Sequence, residues 1–394
     1  MKNISLKNQI HNFVPISVCL ILKDRGWILE KMALRLVENL SEWNIKAEIA
    51  SHPSPNVDVN HWMLYYDFEG KLLAKNTIAI THVDRFSKIH ILRQRLKKVE
   101  MGICMSRMTM EQLVAWGISR EKLTFINPAH DGLIKPKRIV IGITSQIRKD
   151  GAKRENILIE MAKKIHLNAF HFEIIGPNWE RVIPYFEKAG ATVNYHKGVF
   201  HKDNKEHFNI IHQKIHLFDY YLYMGWDEGS MGILDALAAG IPTIVTPQGF
   251  HLDINNGITH SFLDENDLCN ILMKLSTDRQ QRIDSVADLT WSEYSRKHAL
   301  VWNGIYNNKK ENINFLVNGT KVFSNELPFK KSIDWKKNWM IMRTRFNLSS
   351  FIEDAYLLWG YYTGRKLFDS GIYRFAKYVK NKIISLKLLF TPII

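Results

Sequence analysis

The sequence predicts an α/β protein with two parallel sheets in two domains. Short apolar runs that suit buried parallel strands alternate with helical stretches, at a spacing that covers both faces of a sheet. The pattern then restarts. Residues 127–137 (NPAHDGLIKPK) carry two prolines and a glycine and read as a linker, and a second strand–helix series follows. Residues 221–250 organise that second series. An apolar and aromatic strand (218–224) leads into an acidic, glycine-bearing turn (225–230) and an Ala-, Leu- and Met-rich helix (231–239). Gly240 and Pro242 stop the helix before a strand at 241–245. Ligands in open α/β sheets sit at the carboxyl ends of strands and against helix N-termini, so this unit can hold a nucleotide. The alternative is an ordinary crossover.

Composition narrows the partners. Lys and Arg number 54 against 39 Asp and Glu, a net charge of +15. That favours anionic partners: nucleotide phosphates, nucleic acid or an anionic membrane face. The charges are spread over the chain with no recognisable nucleic-acid module, so nucleic acid is not expected. Cys19, Cys104 and Cys269 are far apart without metal-ligand spacing, which argues for a reducing compartment and against a disulfide framework. The first residues hold a short apolar run but no small-residue cleavage site, which favours a buried strand over a signal peptide. No stretch approaches the ~20 apolar residues of a membrane span. The expectation is a cytoplasmic protein, with peripheral attachment to the inner membrane face open to it. His212 and His216 form an H-x-x-x-H without the glutamate or third ligand of a zinc site, so no bound metal is expected.

In chain order, residues 14–22 are the first strand and 23–26 a turn, where Gly26 lets the backbone approach a ligand. Residues 27–40 form an amphipathic helix. Strands follow at 45–50, 57–65 and 77–80, the last ending in Thr81-His82-Val83-Asp84. Residues 86–100 form a helix of unusual basicity, with Lys88, Arg93, Arg95, Lys97 and Lys98. A strand at 101–105, a helix at 109–116 and a strand at 123–126 complete the first series. The second has strands at 138–144, 169–175 and 191–195, and helices at 153–165, 180–189 and 202–215. After residues 218–250 come a short strand at 258–262 and closing helices at 265–275, 279–289 and 291–306. Beyond Asn307 the chain turns basic and aromatic. Residues 370–390 space Ile372, Phe375, Val379, Ile383 and Leu386 along one face, an amphipathic helix that packs on the body or docks on a membrane surface.

The order of elements over residues 14–306, and residues 221–250 above all, resemble family-4-type retaining glycosyltransferases with the GT-B fold. The resemblance implies two Rossmann-like domains facing a cleft. These are an acceptor domain (1–134) and a nucleotide-sugar donor domain with closing helices (135–307), followed by a basic, aromatic helical extension (308–394). DEGSMGILDALAAGIPTIVT looks like the family's E-x7-E segment, with Asp227 and Asp235 eight apart and Glu228 beside the first. Asp227 or Glu228 would orient the sugar hydroxyls, and Asp235 would hold the ribose. Backbone N–H groups of Gly229, Ser230, Met231 and Gly232 would meet phosphate at the helix N-terminus. Arg148 and Lys153, five apart, resemble the family's G-R-x4-K-G cations on the donor diphosphate, with Ile147 and Arg154 in place of the glycines and Lys149 a rival for Arg148. Such cations stabilise the charge of a nucleoside diphosphate leaving group. GICMSRMTMEQLVAWGISREKLTFINPAHDG resembles the end of the family's N-terminal domain, whose Asn127, Pro128, His130 and Asp131 take no chemical role. His82 matches a segment facing the anomeric centre, with a structural histidine as its alternative. His251 or Asp253 falls on the donor side.

Together these imply a metal-independent hexosyl-transfer enzyme with no permanently bound cofactor. Its donor would be a nucleotide-diphosphate sugar and its acceptor a glycan or glycolipid, in bacterial-type cell-surface polysaccharide or lipopolysaccharide synthesis. The alternatives are another enzyme on the same fold, such as an epimerase or a phosphorylase, a catalytically inactive sugar-nucleotide-binding homologue and, last, a nucleic-acid-binding protein.

Overall fold

The computed structural model describes residues 14–70, 73–81, 83, 86–197, 205–309 and 313–319. They form two compact units: residues up to Asp131 together with those from Leu289, and Gly132–Asp288.

The first unit carries β1 (Ile16–Ile21), α1 (Ile28–Leu40), β2 (Ile45–Ala50), β3 (Val59–Trp62), β4 (Lys75–Ile80), α2 (Phe86–Leu96), β5 (Met101–Cys104), α3 (Arg107–Ala115) and β6 (Leu123–Phe125). The strands pair in parallel in the order β2-β1-β3-β4-β5-β6. The two-residue period of a strand divides β1 between two cores. Val18 and Leu20 pack with Met32, Ala33 and Leu36 of α1, while Cys19 and Ile21 pack with Leu92 and Leu96 of α2. Burial on both faces is why β1 reads as a nearly continuous apolar run.

The second unit holds β7 (Ile139–Ile143), α4 (Asn156–Lys164), β8 (Phe170–Ile175), α5 (Ile183–Lys188), β9 (Thr192–His196), α6 (Lys205–Lys214), β10 (Tyr220–Tyr223), α7 (Met231–Ala238), β11 (Thr243–Val245), β12 (His260–Ser261) and α8 (Glu265–Asp284). Its sheet is also parallel, in the order β12-β11-β10-β7-β8-β9. Ile141, Ile143, Phe172 and Ile174 pack against α4 and α8, and Tyr221, Tyr223 and Val245 pack against α7 on the other face.

Two helix boundaries differ from expectation. The helices expected at 265–275 and 279–289 are one 20-residue helix, α8. Ser276-Thr277-Asp278 resembles a break, but Leu268, Cys269, Leu272 and Leu275 anchor the first half in the core. Gln280 donates to Asp284 Oδ1 at 2.8 Å one turn on, which supports the second half. The helix expected from Lys153 begins only at Asn156, after a turn with Gly151 at φ +72° and Arg154 at +51°.

After α8 the chain returns to the first unit. Helix α9 (Trp291–Tyr306) packs on α1, and α10 (Ile313–Asn318) lies against β6. This differs from the sequence expectation, which places the closing helix 291–306 with the domain of residues 135–307. Asp131 accepts from Trp291 Nε1 at 2.9 Å and pairs with Lys31 at 2.6 Å, which ties the end of the first series to α1 and α9. Under the sheet, His61 Nδ1 lies 2.8 Å from Thr77 Oγ1, and Trp302 Nε1 donates to the same hydroxyl at 3.1 Å. His298 Nδ1 donates to Tyr294 O at 2.9 Å. Burial pushes both imidazoles down, His298 to about 4 and His61 well below its ordinary value. The expected 370–390 helix, and most of the 308–394 extension, lie outside the described residues.

Candidate functional site

Strand order in the second unit reverses beside β7: β8 and β9 follow on one side, β10 to β12 on the other. Crossovers that leave in opposite directions open a crevice at the carboxyl ends of β7 and β10, the place where open α/β sheets lodge ligands. Three segments meet there: residues 144–154 after β7, 224–232 after β10, and 246–253 after β11.

The late start of α4 leaves Lys153 in a turn, where its amine crosses to the neighbouring segment. Lys153 Nζ lies 2.6 Å from Asp227 Oδ2 and 2.7 Å from the Tyr223 hydroxyl. That hydroxyl donates to Asp227, with distances of 2.7 and 2.8 Å to the two carboxylate oxygens. Two further contacts stitch the same segments: Trp226 N–H donates to Ala152 O at 2.9 Å, and the Arg154 guanidinium lies over the Trp226 ring, 5.4 Å from its centroid. The Lys153 side chain is only 15% exposed, so the pair is sheltered from full solvent screening. Partial burial pushes the Asp227 carboxyl up, but hydrogen bonds from Lys153, Tyr223 and the Gly229 amide outweigh it and hold the group below the usual carboxylate range. Burial, and then Asp227, push the Tyr223 phenol up.

A second set of contacts fixes the start of α7. The Tyr221 hydroxyl lies 2.7 Å from Ser230 Oγ and 3.0 Å from Thr144 Oγ1, joining β10, α7 and the end of β7. Gly232 makes room for this: a Cβ there would stand 2.1 Å from Thr144 Oγ1 and 2.4 Å from the Tyr221 hydroxyl. Ser230 N–H donates to His251 Nε2 at 2.9 Å, which puts the imidazole proton on Nδ1, facing Thr246 O at 3.2 Å. His251 is 1% exposed. It braces the residue that opens α7 from inside the fold. Gly229 N–H donates to Asp227 Oδ1 at 3.1 Å. Of the four amides expected to meet phosphate, Gly229 and Ser230 therefore have internal acceptors, while those of Met231 and Gly232 belong to the first helical turn, which lacks intrahelical acceptors.

The structure brings Lys153 and Asp227 into direct contact, though the sequence reading gave them to different parts of a donor. Asp227 sits in the turn ahead of α7 and Asp235 on the helix, exposed, so the spacing of eight does not set them on one helical face. Glu228 is exposed, and its backbone carbonyl accepts from Phe250 N–H at 3.1 Å. Arg148 is exposed and pairs with Asp150 at 2.9 Å. Gly26 belongs to the first unit, at φ +86°, with its N–H donating to Glu30 Oε2 at 2.6 Å. His82 lies outside the described residues. Sequence reasoning gave no role to Tyr221, Tyr223 or Thr144. The available signal was three tyrosines, Tyr220, Tyr221 and Tyr223, in a four-residue strand whose only aliphatic residue is Leu222. Two cations of the basic helix α2 are also committed: Arg93 donates to Trp116 O, and buried Arg95 to Tyr65 O. Among the described residues no group of three or more His, Cys, Asp or Glu is placed to hold a metal ion, and no helix is long and apolar enough to cross a membrane.

No family model and no curated protein matches the chain. Matching solved structures include Anabaena HepE in complex with UDP-glucose, at 11% identity and a TM-score of 0.28, over 77% of this chain and 99% of that one. The apo form of the lipopolysaccharide outer core galactosyltransferase WaaB matches at 14% identity and a TM-score of 0.29, over 74% and 99%. A UDP-N-acetylglucosamine 2-epimerase matches at 10% identity and a TM-score of 0.28, over 75% and 98%. These TM-scores are low. The two Rossmann-like sheets that the GT-B resemblance implies are seen directly in the strand orders.

Proposed function

We propose that this chain is a retaining glycosyltransferase whose second unit binds a nucleotide-diphosphate sugar at the β7/β10 switch point. The observation that carries the reading is the sheltered Lys153–Asp227 pair at that point, 2.6 Å apart and braced by Tyr223. An arriving diphosphate competes with Asp227 for the ammonium and takes the amides of Met231 and Gly232. Arg148, held only by Asp150 at the surface, swings onto the same phosphates. Asp227 or Glu228 then accepts from the sugar hydroxyls, and Asp235 from the ribose. The C1–O bond to phosphate breaks, and the bond from C1 to the acceptor oxygen forms on the same face. The acceptor proton passes to the leaving phosphate, whose charge Lys153 stabilises. His82 lies on the acceptor side in this reading. The net charge of +15 favours a glycolipid acceptor at an anionic membrane face.

A thermal-shift screen of UDP-, GDP-, ADP- and dTDP-sugars tests the site. One donor class is expected to stabilise the native chain and to lose that effect in Lys153→Ala and Asp235→Ala. Stabilisation that survives both changes overturns the assignment. Product analysis with the stabilising donor tests the reaction. Transfer yields sugar-extended acceptor and free nucleoside diphosphate. A new nucleotide-sugar formed without acceptor would replace the reading with an epimerase, and binding without turnover with an inactive homologue.

A further inference from the structure

The second unit has a cavity of about 510 Å³ at the opposite end of its sheet from Lys153. Arg138, Ile139, Asp219 and Tyr220 line it where β7 and β10 begin, and Leu275, Asp278, Arg279, Arg282 and Ile283 line it from α8. The five residues of β7 separate it from the switch point, a span of about 16 Å at ~3.3 Å per residue.

Charge in this cavity is not balanced. Lys137 Nζ pairs with Asp219 Oδ1 at 2.7 Å, and Asp219 Oδ2 accepts Val140 N–H at 2.9 Å, so those two charges are satisfied by each other and by backbone. Arg138 donates only to carbonyls, Phe170 O at 3.2 Å and Gly190 O at 3.0 Å. Arg279 likewise donates to Lys137 O at 2.7 Å and Pro136 O at 3.3 Å. Carbonyls orient a guanidinium without neutralising it. Arg282 is exposed and pairs with no carboxylate among the described residues. Arg279 and Arg282 on α8 therefore stand beside a single carboxylate without an ion pair among the described residues, Asp278, and the Arg138 charge nearby is not neutralised either, so the lining is net positive. Guanidinium forks held in place are the side chains best suited to bind phosphate oxygens. Leu275, Ile283 and the Tyr220 ring supply an apolar wall beside them, and the volume falls within the ~300–1,000 Å³ of small-molecule sites.

We infer that this cavity binds a phosphate monoester with a compact apolar or planar body, its phosphate on Arg279 and Arg282 and its body against Tyr220 and Leu275. It is independent of the proposed donor site.

Calorimetric titration of the full chain with phenyl phosphate at low salt tests it. Binding is expected to persist in Lys153→Ala and to weaken about tenfold or more in Arg282→Ala and in Arg279→Ala, the loss of one charge-assisted contact. Arg282 is exposed and has no ion-pair partner among the described residues, so its replacement is expected to leave the fold intact, and an unchanged melting temperature verifies that. Equal affinity in native, Arg282→Ala and Arg279→Ala chains overturns the inference, as does binding abolished by Lys153→Ala alone, or no binding at millimolar ligand. A parallel arm separates two sources of the same chemistry. Arg282-dependent capture by vesicles containing phosphatidic acid assigns a lipid headgroup, whereas phenyl phosphate binding without vesicle capture assigns a free ester.

Discussion

Both sheets reverse strand order beside their first strand, β1 in one unit and β7 in the other, and the two reversals are furnished differently. At the β7/β10 end, Lys153, Asp227, Tyr223 and the Thr144–Tyr221–Ser230 hydroxyls crowd together at hydrogen-bond distance. At the β1 end, the chain turns through Gly26 into α1 with no side-chain cap, and Trp27 stands 80% exposed. The first unit keeps its polar cluster elsewhere, sealed beneath β3 and β4 around His61 and His298. Topology supplies a crevice in each unit. Side chains decide whether it holds charge, and in the first unit burial excludes charge from the cluster altogether.

The largest expected effect comes from that opposite treatment of charge. The His298 imidazole is pushed from its ordinary 6.5 to about 4 by burial. Its neutral form is favoured in the fold, so its contribution is complete above pH 6.5 and is lost as pH falls towards 4, on the order of 3 kcal/mol. His61 acts in the same direction. In the second unit, Glu173 is buried between His196 Nε2 at 2.8 Å, His171 Nε2 at 3.2 Å, Lys214 Nζ at 3.2 Å and Asn194 Nδ2 at 3.0 Å. Burial raises its carboxyl, but these partners outweigh it and bring the group from 4.5 down to about 2. Its contribution is complete above 4.5 and lost only as pH falls from there towards 2. Amide hydrogen exchange at pH 7 and pH 5, corrected for intrinsic rates, should show protection falling in the first unit and holding in the second. Parallel losses would break the contrast.

The next effect is on ligand affinity. Lys153→Ala removes a sheltered ammonium at the β7/β10 end and should weaken nucleotide-sugar binding by ten- to a hundredfold, about 2 kcal/mol. Trp27→Ala, at the β1 end, should leave that affinity unchanged. Calorimetry on both variants sharpens the comparison, and equal losses would show that both reversals hold the donor.

The fold was legible where burial alone shapes the sequence. Strands such as Ile139–Ile143 and Ile16–Ile21 are apolar runs because helices cover both faces, and the helices between them carry a 3.6-residue period. It was less legible where long-range packing overrode local signals. Ser276-Thr277-Asp278 reads as a break, yet α8 runs through it, and α9 follows the second series in sequence but packs on α1. Lys153 and Asp227 were each singled out from sequence. Their pairing across 74 residues depends on β7 and β10 being neighbours and on α4 starting late, neither of which a local pattern records. Tyr223 was hidden because a tyrosine in an apolar strand reads as core until its hydroxyl is placed.

Gly26→Ala should have the smallest effect and bears most directly on what the β1 end does. Gly26 sits at φ +86°, and a Cβ there would meet nothing within 4 Å. The cost is therefore confined to the backbone, about 1 kcal/mol for a non-glycine residue in a left-handed conformation. The Gly26 N–H already has an acceptor in Glu30 Oε2 at 2.6 Å, so no amide is waiting there for a phosphate. Urea denaturation should report that small loss of stability, and nucleotide-sugar affinity should not move. An affinity drop beyond the stability change would mean that the backbone at Gly26 touches ligand, as the glycine at this turn suggests from sequence alone. The β1 reversal would then hold ligand as well, and the difference between the two would be one of chemistry and not of occupancy.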